Sequence, residues 1–262
     1  MSITDINNAA AAQNGVTARM NAFLDNIDAD IATKQAAYAA LAGNLKGVVA
    51  TSMNFVAYVN PGQANPTNVN GGTFTTIAAA VNAAPFGASV TAHLAAGGTH
   101  FVPDSIDLRN RRVKLVKHGA GDAPVVYHTC GFTGVHNAIY GFQSLNGGSL
   151  RAEGIAFFME DKVNAGAPWS NTSCVMEYAT GGNITAELSG CTVTGHTGQR
   201  FTAVLTGGQV RLALRSTTFD GPIYAVGSCS GGLTFISQSA PTLLNGAQLA
   251  DGGTLGTNLF LN

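Results

Sequence analysis

The first fifty residues carry an almost unbroken heptad stripe, which then stops. Read at alternating steps of three and four, the stripe runs Ile3, Ile6, Ala10, Gln13, Thr17, Met20, Leu24, Ile27, Ile31, Lys34, Tyr38, Leu41, Leu45, Val48. Eleven of the fourteen positions are apolar, and a 3.5-residue repeat keeps one seam of a helix turned toward partner helices. No second heptad segment follows to fold back against it, so the expected partners are other copies of the chain. Isoleucine at both kinds of core position favours three strands or more, which predicts a homotrimer; Gln13 and Lys34 are polar core positions of the kind that fix register. The stalk is assigned to residues 1–50, with its helix expected to end near Gly43 to Gly47.

Charge is scarce throughout the chain. The chain of 262 residues has 13 basic and 14 acidic residues, 10% in all, against roughly 25% in an ordinary soluble domain. A near-neutral balance argues against a nucleic-acid partner, which needs clustered Lys and Arg. The densest cluster, Arg109, Arg111, Arg112, Lys114 and Lys117, alternates with Val113, Leu115 and Val116 and reads as the solvated edge of a strand. No run of eighteen apolar residues exists, so no membrane insertion is expected. The opening MSITDINNAAAAQ lacks a basic region followed by an apolar core, so no secretory signal is expected. Cys130, Cys174, Cys191 and Cys229 form no C-x-x-C pair and read as free buried thiols.

After the stalk the period changes from helical to alternating. Asn54 to Val59 reads as a strand, and Phe74, Ile77, Ala78 and Val81 have the spacing of a short amphipathic helix near 74–83, ended by Pro85. Four later segments open on a glycine pair, at Gly147, Gly181, Gly207 and Gly231, spaced 34, 26 and 24 residues apart. Short strands with glycine corners at such a period predict a solenoid. Its inward positions would be Leu150, Ile155 and Phe157, then Ile184, Leu188 and Val193, then Val210, Leu212, Leu214 and Phe219. The expected class is therefore mainly β: a coiled-coil stalk, a right-handed parallel β-helix over 51–248 capped by the short helix, and a terminal strand or docking segment over 249–262.

The stretch YVNPG…GGTFTTIAAAVNAAPFGASVTAHLAAGGTH…IDLRNRRVKLVKHG resembles the opening of pectate-lyase-like β-helix domains. The resemblance covers about residues 55 to 121, with His100 where the family usually has tyrosine. A helical stalk before such a domain resembles bacteriophage tail fibres and tailspikes. This implies a structural virion protein, held to other virion proteins by its stalk and used for host attachment or particle architecture. It would be made in the host cytoplasm and carried in the virion. Such folds also host glycan-cleaving enzymes, so a capsule or lipopolysaccharide depolymerase is the alternative, and a bacterial surface adhesin a third.

Cleavage needs two carboxylates, one acid and one base or nucleophile, roughly 5 to 9.5 Å apart. Glu153 and Glu187 each lie six residues after a glycine pair, which could stack them on adjacent coils; the competing reading is two solvated strand residues. Asp104 and Asp107 read as turn formers. His128, Cys130 and His136 match no metal-ligand spacing, and no cofactor or metal is expected. The 34-residue repeat carries extra residues at 159–173, including the chain's single tryptophan, Trp169, with Asp161, Asn164 and Asn171. Loops on a rigid scaffold often carry binding, so these residues are the candidate host-glycan site; the alternative is that Trp169 pins the loop down.

Overall fold

The computed structural model describes residues 1–144, 147–170, 174–177, 183–203, 207–227, 232–251 and 259–262. The chain divides into two compact units, Met1–Thr51 and Ser52–Asn262.

The first unit is almost wholly one α-helix, α1 (Ile3–Met53), with no buried residue. It passes through Gly43 and Gly47 without a break, so the stop expected there does not occur. A helical glycine costs only about 1 kcal/mol relative to alanine, and neither glycine adopts the left-handed conformation of a C-cap. The stripe is bare: Ile3 is 79% exposed, Leu24 51%, Ile31 48% and Leu45 62%. Lys34, on the stripe, pairs with Asp30 one turn earlier at 2.8 Å.

The second unit is built from parallel sheets. One sheet has nine strands, ordered Gly72–Phe74, Asn54–Val59, Ser89–Ala95, Arg112–His118, Ser149–Glu153, Asn183–Ser189, Gln209–Arg215, Leu233–Ser239 and Leu259–Leu261. Among the described residues, two further sheets have six strands each. From Ser89 onward the described strands visit the three sheets in rotation, interrupted once by a separate two-stranded pair, so each circuit adds one strand to each and stacks on the last. The alternation explains this: along Gln209–Arg215 the residues Val210, Leu212 and Leu214 are buried while Arg211 and Arg215 are exposed. All ten inward positions read from the sequence are buried.

Corners between the nine-stranded sheet and the next strand repeat as well. Gly154, Gly190, Ser216 and Ala240 follow directly on successive strands, and all four have left-handed backbone, with φ of 65°, 59°, 46° and 49°. Gly154 N–H donates to Ser189 O, Gly190 N–H to Arg215 O and Ser216 N–H to Ser239 O. The corner is thus a stacked hydrogen-bonded column, with glycine only where the sequence supplies it.

The N-terminal end is closed by α2 (Ile77–Ala83), shorter than the sequence suggested because Phe74 belongs to a strand. Thr76 caps it, its hydroxyl accepting from Ala79 N–H at 3.0 Å, and Ile77, Ala80 and Val81 are buried. Arg111, expected on a solvated edge, is 2% exposed. Its guanidinium donates to Ala84 O at 2.6 Å and 3.0 Å and to Pro85 O at 3.1 Å. These carbonyls, left over at the helix end, are what make burial of that charge tolerable. At the other end, Leu259–Leu261 pairs in parallel with Leu233–Ser239. Within the 249–262 segment, Leu259–Leu261 is thus the edge strand of the nine-stranded sheet among the described residues.

Candidate functional site

Two circuits are long. Strand register runs 37 residues from Arg112 to Ser149 and 36 from Ser149 to Thr185, against 26 from Thr185 to Arg211 and 24 from Arg211 to Phe235. The first excess is an antiparallel hairpin, Cys130–Phe132 with Asn137–Ile139, which the sequence reading missed. The second is the segment 160–170.

The two insertions form one structure, fastened by Asn137, which has no exposed surface. Its amide nitrogen donates to Asn164 O at 2.8 Å and Ala167 O at 3.0 Å, and its amide oxygen accepts from Asn164 N–H at 2.9 Å. Trp169 is half-buried against the core, and its indole N–H donates to Thr197 O at 2.9 Å on the following circuit. Lys162 lies 5.7 Å from the ring centroid. The tryptophan thus packs on the core and pins the segment to the next circuit. Asn164 spends its backbone on Asn137, and its side-chain oxygen accepts from Gly166 N–H. Asn171 lies outside the described residues.

Between this segment and the turn at 195–199 lies an open cleft of about 400 Å³, lined by Asp161, Lys162, Ala165, Gly195, His196, Thr197 and Pro222. Its walls are held from behind. Glu160 accepts from Cys130 N–H at 2.7 Å, and buried Gln199 donates to Glu160 O and accepts from His196 N–H at 2.7 Å. His196 Nδ1 stands 3.7 Å from Asp161 Oδ2, both side chains substantially exposed. The arrangement offers polar groups to a hydroxyl-rich ligand. His196 and Thr197 were not singled out from the sequence; an offset of 36, seen in the pairing of Phe158 with Thr194, is what brings them beside Asp161.

Glu153 and Glu187 do not form a column. Glu153 pairs with Ser189, and Glu187 pairs with Arg151. Arg151 stands between the carboxylates, 2.8 Å from Glu153 Oε1 and 3.6 Å from Glu187 Oε2. Lys114 reaches Glu153 Oε2 at 2.8 Å, and Arg215 reaches Glu187 Oε1 at 3.6 Å. The Lys114 hydrogen bond, with Arg151 beside it, holds the Glu153 carboxyl below its usual range. A general acid needs the opposite shift.

His128 is buried with Nδ1 2.8 Å from Tyr140 O, whereas His136 is exposed. Among the described residues no group of three or more His, Cys, Asp or Glu side chains could hold a metal ion. Cys130, Cys174 and Cys191 are buried and free, and Cys229 lies outside the described residues. No helix among the described residues is long and apolar enough to cross a membrane. Comparison with known protein families, with curated proteins and with solved structures finds no match.

Proposed function

We propose that this chain is a fibre- or spike-type structural protein of a bacteriophage particle, in which α1 assembles three copies and a right-handed β-helix attaches to the host surface. The observation that carries this reading is the bare stripe of α1. A helix finds most of its stability in burying an apolar face, and each Leu or Ile removed from water contributes about 1.5–3 kcal/mol. Nothing within Met1–Thr51 buries Ile3, Ile6, Met20, Leu24, Ile27, Ile31, Leu41, Leu45 or Val48, and other copies of the helix supply what is missing. Right-handed winding follows from the strong preference of parallel crossovers. Adhesion is favoured over cleavage because Arg151 and Lys114 hold the best carboxylate pair in ion pairs. Three weak sites on one oligomer gain roughly 10²- to 10⁴-fold in avidity.

Light scattering on the full chain tests the assembly. The expected mass is three times the 26.7 kDa of one chain, and Leu24→Asp with Ile31→Asp should leave monomers, since buried unpaired carboxylates cost several kcal/mol each. A monomeric wild type would refute the reading, while a dimer would refute the copy number alone.

A further inference from the structure

We propose that His93 and His118 form a two-imidazole site for one divalent transition-metal ion of the Cu²⁺, Ni²⁺ and Zn²⁺ class, clipping together two neighbouring strands of the nine-stranded sheet. The site does not depend on the assembly or adhesion readings above.

Register brings the two rings together. Tyr58, His93 and His118 lie on three neighbouring strands, Asn54–Val59, Ser89–Ala95 and Arg112–His118, at positions that alternate with the buried ones and so face outward. Tyr58 pairs directly with His93, and Ala95 with His118. His118 therefore stands one strand over and two residues on from His93, with Val116 opposite His93. The rings converge. His93 stacks on Tyr58 with centroids 5.0 Å apart and planes at 19°. His118 meets both edge-on, 5.0 Å from Tyr58 and 5.7 Å from His93.

The ring nitrogens are not spent elsewhere. Among the described residues neither imidazole makes a hydrogen bond or an ion pair; their partners are rings. The cations on the Arg112–His118 strand nearest to them in sequence have other anchors: Lys114 lies 2.8 Å from Glu153, and Lys117 donates to Gly121 O. The other four histidines are placed differently. His100 and His128 are buried, His196 faces Asp161, and His136 is exposed between the two strands of the hairpin. Among the described residues, His93 with His118 is the one contact between two imidazoles.

Neutral imidazole suits Cu²⁺, Ni²⁺ and Zn²⁺, whereas Mg²⁺ and Ca²⁺ take oxygen ligands. An ion about 2.0–2.1 Å from one nitrogen of each ring, at the tetrahedral angle, sets the ring centres about 5 Å apart. The two rings already stand 5.7 Å apart, and His118 is exposed at the end of its strand, so rotation about its side-chain bonds closes the gap. The Tyr58 ring stacked on His93 holds the other imidazole in place. Two protein ligands leave the remaining positions to water.

Titration calorimetry on the untagged full chain, with CuCl₂, NiCl₂, ZnCl₂ and MgCl₂ in turn, tests the site. One ion per chain is expected for the first three, Cu²⁺ tightest, and none for Mg²⁺. Changing groups behind a metal ligand already costs about 10- to 100-fold in affinity, so His93→Asn and His118→Asn should each cost at least about tenfold. Neither should lower the melting temperature of the metal-free chain. Added Zn²⁺ should raise that temperature in the wild type and not in these two variants. His136→Asn and His196→Asn, which change the other two histidines that are not buried, should bind as the wild type does. The proposal is overturned if no transition ion binds, if Mg²⁺ binds equally, if either His93→Asn or His118→Asn keeps full affinity, or if His136→Asn or His196→Asn abolishes binding.

Discussion

Arg151 faces Glu187 across adjacent parallel strands, its Nη1 3.6 Å from the carboxylate Oε2, while its Nη2 lies 2.8 Å from Glu153. One guanidinium thus occupies the space in which a hydrolytic pair would have to act on a sugar. The carboxylates become parts of a surface ion network that neutralises some of a cationic face.

Changing Glu153 and Glu187 together to Gln should leave host polysaccharide intact, as in the wild type, and should lower stability by no more than about 1 kcal/mol, because exposed ion pairs contribute little. A reducing-end assay and a thermal melt check both parts. The depressed Glu153 carboxyl adds stability that is present above the usual glutamate range and lost as pH falls through the folded value. The double variant should therefore be slightly less sensitive to acid.

Asn137 holds two insertions with three hydrogen bonds and no exposed surface. Asn137→Leu leaves Asn164 O, Ala167 O and Asn164 N–H without that partner, a loss of about 2–4 kcal/mol. Hydrogen exchange should rise in 160–170 while the strand Gln209–Arg215 stays protected.

Ser216 continues the left-handed corner column at φ 46°. Ser216→Gly should stabilise the solenoid by about 0.5–1 kcal/mol, since glycine occupies that region without a Cβ penalty. Gly190→Ala, one circuit earlier at φ 59°, should destabilise by a similar amount. Denaturant midpoints of the two variants should move in opposite directions.

His128 is fully buried, edge-on to Phe142 and stacked on Phe157, with Nδ1–H donating to Tyr140 O and, among the described residues, no partner for Nε2. Burial pushes its pKa down to about 4 from 6.5, so the folded protein holds it neutral while the unfolded chain takes up a proton. Stability is therefore full above about pH 6.5 and falls as pH drops toward 4, by up to about 3 kcal/mol. Buried His100 acts with the same sign. His128→Phe should flatten, without abolishing, the fall in melting temperature between pH 6.5 and 4.

Much of the architecture is written locally. The 3.5-residue stripe specifies a long helix with one apolar seam, whatever follows it. The period-2 alternation in Val210, Leu212 and Leu214 specifies which side chains go inward, and the spacing of the glycine pairs specifies stacked circuits. These signals are local because a helix seam or a strand face depends only on the residues along it. What the sequence could not decide was alignment across an insertion. Counting from Gly147 and Gly181 puts Glu153 beside Glu187, but the strands align at an offset of 36, which puts Arg151 there instead. A one-residue slip would turn every buried side chain outward and be visible in the pattern. A slip of two keeps inside and outside unchanged and leaves no trace in it. The same limit hid the burial of Arg111, whose carbonyl partners lie 26 and 27 residues away, and the gathering of Arg112, Arg151 and Arg211 on one face. Long-range register, settled only when side chains from different circuits pack together, determined where the charges meet.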